Sequence, residues 1–199
     1  MDLIYYNHEF DSFVLVQYKR MVSGDNGVPQ YRPDNDASHA KELQRMLDAE
    51  EALRRIGQTS QTVTNTFRLC YHPFFMKLCE AKAKAALDPG LVKGMYIPLE
   101  LWRRLLESPD TKGPRGGIVM SWKNCKRRLN NTEFTNLLRR GWIGSAAGQS
   151  KCLSEIIEQV LASGRMLVLA ATSADQSSLD YRRDGFGRFA AEDDPGGAT

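Results

Sequence analysis

Three polar residues close to the N-terminus have the types and spacing to do chemistry: Asp2, Gln17 and Lys19. Magnesium takes hard oxygen ligands and keeps several of its waters, so one carboxylate and one further oxygen can hold it against a phosphate. Asp2 offers the carboxylate, and the side-chain carbonyl of Gln17 offers the second oxygen. Lys19 offers a cation that can position or deprotonate an attacking water, or neutralise the charge that grows in the transition state. Metal-assisted phosphodiester hydrolysis needs those three functions. Asp11 is a second acid in the same stretch, but it falls on the expected turn, at the far end from Lys19, and ranks below Asp2.

The elements that must position these residues read as follows. Apolar residues dominate 3–6 and again 13–18, with Asn7, His8, Glu9 and Asp11 between them, which is a hairpin signal. A turn centred near Glu9 and Phe10 puts Asp2 opposite Gln17 in antiparallel register. Side chains alternate along a strand, so Gln17 and Lys19 share a face with Phe13 and Leu15. After a Gly- and Pro-rich connection, the spacing of Leu43, Met46, Leu47, Leu53 and Ile56 predicts a helix over 38–56, with Ser38 as its cap and Gly57 as its stop. Glu50 is out of character on the apolar side, while Lys41, Glu42, Arg45, Asp48 and Glu51 read as the charged outer face. The alternation of Phe67, Leu69 and Tyr71 with polar neighbours predicts a half-buried strand over 65–71. Strand, helix, strand over this length suits a crossover connection, right-handed if the strands are parallel.

Asp2, then Gln17-Tyr-Lys19 at the end of Phe13-Val-Leu-Val, resembles the active-site hairpin of restriction-endonuclease-like (PD-(D/E)xK) nucleases. The glutamine is similar to that of the Mrr-type branch, which carries Gln where others carry Glu. The resemblance covers residues 1–72, where the hairpin is followed by a helix and a strand as in that family. It implies magnesium held by Asp2 and Gln17, catalysis by Asp2, Gln17 and Lys19, and DNA as the substrate. In the family a helix and a first strand precede the hairpin, and that helix often bears an acidic residue that helps hold metal. Here the hairpin starts at residue 2, so the expectation is an N-terminally truncated nuclease-like core. Asp2 would then lack a shielding strand, and metal affinity and activity would be impaired.

The remainder of the chain reads as a helix-rich region over 73–172 packed on or appended to that partial core, followed by a disordered tail over 173–199. Helices are expected over 98–106, from a capping box at Asn130 to near Gly141, and over 153–161; 82–87 is helix-prone, and short strands fall at 118–122 and 166–172. The fold class is therefore mixed α/β. With 199 residues, 42% of them hydrophobic, the chain can bury a core, and its apolar runs are too short to span a membrane. No secretory pattern opens the sequence and its four cysteines form no close pair, which reads as a cytoplasmic protein with reduced thiols. Cys70, His72 and Cys79 fall short of the four ligands a closed zinc site needs.

The net charge of +3 is mild, but cations crowd the middle of the chain beside Trp102, Trp122 and Trp142. Arg127, Arg128, Arg139 and Arg140 could follow a nucleic-acid backbone, or could simply be solvated faces with the tryptophans in the core. Lys112 and Arg115 flank glycines in loop 112–117, which reads either as a phosphate-contact loop or as an ordinary turn into the next strand. The alternative to a nuclease is thus a non-catalytic nucleic-acid-binding or interaction protein that works through its basic second half.

Overall fold

The longest strand, β2 (Ser12–Ser23), organises everything around it, because apolar side chains project from both of its faces. The computed structural model describes residues 2–24, 27–56, 66–80, 92–146, 148–152 and 167–172, with positions 155, 157, 158 and 162 besides. On one edge β2 pairs antiparallel with β1 (Asp2–Asn7), and Asp2 stands opposite Gln17. Asn7 shapes the turn: its Oδ1 accepts from the Glu9 and Phe10 amides, and its Nδ2 donates to the carbonyls of Leu138 and Arg139.

After β2 the chain turns through β3 (Pro29–Tyr31) and a short 3-10 turn, Pro33–Asn35, into helix α1 (His39–Ile56). The strand that follows is not 65–71 but β4 (Phe74–Glu80), which lies parallel to β2 on its other edge. The alternation at 66–71 points the wrong way: Phe67 and Leu69 are 52% and 66% exposed, and Arg68 is the buried member. Arg68 turns inward to donate to the carbonyls of Phe67 and Phe10, while Leu69 and Cys70 donate to the Trp142 carbonyl. β4 wins the central position because Phe74, Phe75, Met76 and Leu78 are apolar on both faces, as a strand covered on both sides requires.

Beyond β4 the sheet continues with β5 (Gly94–Pro98), antiparallel to it. Helix α2 (Leu99–Glu107) follows directly, with Pro98 as its capping residue. A loop leads to β6 (Met120–Ser121), shorter than the expected 118–122, which pairs with β3. Helix α3 (Asn131–Arg139) opens on the anticipated capping box: Asn130 accepts from the Glu133 amide and Glu133 accepts from the Asn130 amide. It ends at Gly141, whose positive φ suits a left-handed cap. Strand β7 (Leu167–Thr172) lies parallel to β1, with Leu167 opposite Asp2. The sheet order is β5-β4-β2-β1-β7.

One expectation changes here. The outer edge of β1 does not lack a neighbouring strand, because β7 covers it from Asp2 to Asn7. β4, β5 and β7 share one sheet with the hairpin. The expected helix over 153–161 is described only at 155, 157 and 158, which are helical; 82–87 and the tail 173–199 lie outside the described residues. Mixed α/β is the class, and among the described residues no helix is long and apolar enough to cross a membrane.

The sheet buries two different cores. Leu15, Phe13, Met76 and Ile97 pack with Met46 and Leu53 of α1 and Leu99 and Trp102 of α2. On the opposite face Val14, Val16, Phe75 and Tyr96 pack with Phe134 and Leu138 of α3. Phe134 anchors that second core: it stacks on Tyr96 with centroids 3.8 Å apart and meets Phe75 and Tyr5 edge-on at 5.3 and 5.8 Å. Truncation of a buried aromatic removes its transfer energy and leaves a cavity, so Phe134→Ala is expected to cost about 3–5 kcal/mol. Urea unfolding of both proteins checks this, with a lower midpoint at unchanged slope.

Candidate functional site

Gln17 and Lys19 are neighbours on the α1 side of β2, separated by one residue and so about 7 Å apart along the strand. Both are buried. A buried ammonium must find counter-charges, and Lys19 finds two. Its Nζ donates to Asp36 Oδ2 at 2.5 Å and pairs with Glu42 Oε2. Asp36 comes from the turn that closes Pro33–Asn35, where its amide donates to the Pro33 carbonyl. Glu42 comes from the first turn of α1.

The oxygens of this cluster are closely held. Asp36 Oδ2 also accepts from the Tyr31 hydroxyl at 2.8 Å, and Oδ1 accepts from the Ser38 amide at 3.0 Å. The Ser38 hydroxyl lies 2.8 Å from both Asp36 Oδ1 and Glu42 Oε1, and can give its proton to one of them at a time. Beside it His39 accepts at Nε2 from Trp102 Nε1, 3.2 Å away. Burial pushes the His39 imidazole below its ordinary pKa, and the charge of Lys19 pushes it the same way.

Glu42 corrects the sequence reading, which put it on the outer face of α1. It is only 6% exposed. The signal was present: His39, Glu42, Met46, Glu50 and Leu53 fall at i, i+3, i+7, i+11 and i+14, one buried stripe that carries two acids. Glu50, the odd residue on the apolar side, accepts from His72 Nδ1 at 2.8 Å. Asp36 left no comparable pattern, because its role depends on where the turn delivers it.

Asp2 faces Gln17 in the backbone register, though its side chain lies outside what is described. Asp11 is held elsewhere, accepting from the Tyr6 hydroxyl and the Gly148 amide at the turn end of the hairpin. A hard divalent cation suits the donors around Lys19: they are oxygens, two carboxylates exceed one ammonium in charge, and Asp36 keeps a quarter of its side chain exposed. Gln17, Asp36 and Glu42 are the described residues with oxygens on this side of the sheet that could meet it. Among the described residues no group of three His, Cys, Asp or Glu side chains gathers to hold a metal ion.

The cations expected to meet nucleic acid are distributed unevenly. Lys112 and Arg115 are exposed on the loop that Asp34 ties to the Asp36 turn, through a bond from the Ile118 amide to Asp34 Oδ2 of 2.9 Å. Arg127 is exposed in the loop after β6, and Arg128 donates to the carbonyls of Trp122 and Cys125. Arg139 and Arg140 end α3, which covers the face of the sheet opposite Lys19. Of the tryptophans, Trp102 is core, Trp122 is half-buried under Arg128, and Trp142 is exposed. Compared with known proteins, the chain matches no family model, no curated protein and no solved structure.

Two titrations follow from these contacts. Burial alone would raise the Asp36 carboxyl, but hydrogen bonds from Lys19, Tyr31 and Ser38 outweigh it and hold the group well below its ordinary 3.8. A depressed acid contributes stability that is present above the unfolded value and lost as pH falls through the folded one. Asp36 should therefore stay ionised in carboxyl NMR well below pH 3.8, and Lys19→Met should bring its titration back up. That substitution strands two carboxylates and should cost about 3–5 kcal/mol at neutral pH.

The Glu50 hydrogen bond raises the His72 pKa above its ordinary value, against a smaller opposing effect of burial. Here the sign reverses: the stabilisation is complete below the unfolded value of 6.5 and fades as pH rises through the folded value. The melting-temperature difference between the protein and His72→Ala should be larger near about pH 5 than near about pH 9.

Proposed function

We propose that this protein is a nuclease-like enzyme that hydrolyses phosphodiester bonds in DNA with magnesium, using Gln17 and Lys19 with Asp2, and with Asp36 and Glu42 completing the site. The observation that carries the reading is the backbone register. Asp2 pairs with Gln17 across a hairpin, Lys19 follows on the same face, and a crossover helix leads to a parallel strand beside them. This is the hairpin–helix–strand arrangement implied by the resemblance to restriction-endonuclease-like nucleases, with β4 rather than 65–71 as its strand.

In this reading magnesium supplies Lewis-acid polarisation of the phosphate and an acidified water when bound. The protein's own residues do the rest. Asp36 and Glu42 concentrate negative charge around Lys19, on the same face of β2 as Gln17, attracting the cation. They also fix Lys19 in one place, so that its ammonium faces the charge that grows on phosphate without reorganising. The Ser38 hydroxyl can switch its one hydrogen bond from one carboxylate to the other as that charge redistributes, keeping its proton.

A second reading is favoured by the same ion pairs. Two carboxylates already occupy Lys19, as in a structural cluster, and the chain would then be a non-catalytic nucleic-acid-binding protein. Plasmid nicking separates the two. With magnesium the protein should nick supercoiled DNA, chelation should stop it, and Lys19→Ala and Gln17→Ala, checked for folding by circular dichroism, should each lower the rate by about 10²–10³-fold. Cleavage that survives Lys19→Ala in a folded protein would sink the enzymatic assignment. Salt-sensitive DNA binding without any cleavage would favour the second reading.

A further inference from the structure

Loop 112–117 is a preformed finger. The Gly113 amide donates to the Gly117 carbonyl at 2.8 Å, and the Gly116 amide donates back to Gly113 at 2.9 Å. Gly116 has φ +80°, a conformation that other residues adopt only with strain. Below the tip, Lys112 and Ile118 bridge antiparallel and the Val119 amide donates to the Thr111 carbonyl. At the base Thr111 is fully buried and donates to the Ser108 carbonyl.

This finger is fastened to the candidate site at two points. β3 pairs with β6, with Tyr31 opposite Met120, just before the chain enters the Asp36 turn. Asp34, two residues before Asp36, accepts from the Ile118 amide at the finger's base. Strand, turn and finger are therefore joined by hydrogen bonds to the turn that carries Asp36, the partner of Lys19.

Some exposed cations are neutralised by carboxylates of their own helix, while others, Arg127 and the finger's two among them, have no ion pair among the described residues. Arg54 and Arg55 are paired with Glu51, and Arg103 and Arg104 with Glu100. Lys112 and Arg115 are exposed and, among the described residues, form no ion pair. Lys112 and Arg115, with no ion pair among the described residues, stand on a hydrogen-bonded loop where a polyanion can meet them. A cation-rich arm can hold phosphates that flank the one at the site.

We propose that finger 112–117 grips the phosphodiester backbone of a nucleic acid through Lys112 and Arg115, and that Asp34 is the positioning residue that sets the finger against the Lys19 site. The proposal rests on the nuclease reading only for what happens to the strand after it is gripped. Asp34 itself is an anion. If it acted through charge alone, its removal would strengthen binding to DNA. If it positions the finger, its removal must weaken binding.

The test is fluorescence anisotropy of the full chain with a labelled duplex and no divalent cation, as a function of salt. Lys112→Ala/Arg115→Ala should bind more weakly at low salt. Its slope of log affinity against log salt should be shallower by about 2, the value for two lost phosphate contacts on duplex DNA. Asp34→Ala should also bind several-fold more weakly, and Asp34→Asn, which keeps an oxygen to accept from Ile118, should bind at least as well as the parent protein. An unchanged slope in the double variant, tighter binding by Asp34→Ala, or no binding by the parent chain at low salt would each overturn the proposal. Plasmid nicking of the same proteins is read separately. Normal binding by the finger variants with cleavage that depends on Lys19 removes the finger and keeps the enzyme. Finger-dependent binding with no cleavage by any protein keeps the finger and removes the enzyme.

Discussion

A lysine ammonium buried near the end of a central strand has to be neutralised, and that requirement ties this structure together. Lys19 sits under α1 with almost no access to water, so its charge would be costly without carboxylates within reach. One comes from the turn between β3 and α1, the other from the first turn of α1 itself. The pairing therefore fixes where the helix starts relative to the sheet. Through Asp34 and the β3–β6 pair it also fixes the loop that precedes β6.

The opposite face of the sheet has a different character. There α3 packs Phe134 onto Tyr96, Phe75 and Tyr5, and the polar atoms are mainly phenols. Lys77 is fully buried on that side too, with its Nζ 4.6 Å from the centre of the Tyr96 ring and 5.3 Å from that of Tyr18. Aromatic faces can favour a cation. They offer no hard oxygen pair like Asp36 and Glu42. The two faces thus divide the work: one supplies a rigid aromatic foundation, the other gathers carboxylates, amide and ammonium at the ends of α1 and β2.

The hairpin was legible because it is local. Its register follows from the length of the polar turn, and the pairing of Asp2 with Gln17 could be counted along the chain. The capping box at Asn130 and the left-handed Gly141 were readable for the same reason: each is decided within a few residues. The strand after α1 was not. Both 66–71 and 74–80 have strand-like patterns, and the choice depends on which one finds cover on both faces. Arg68 reaching carbonyls across the hairpin turn, and Phe75 meeting Phe134, are facts of the assembled molecule.

The amino-acid sequence by itself determined the hairpin, the shared face of Gln17 and Lys19, the span of α1 and the mixed α/β class, since alternation and helical spacing are short-range. Only the tertiary structure decided that Glu42 faces inward, that Asp36 meets Lys19, that β7 rather than a preceding strand flanks β1, and that Lys112 and Arg115 stand on the loop fastened beside that cluster. Those outcomes join segments separated along the chain, and no local pattern encodes a distance across a fold.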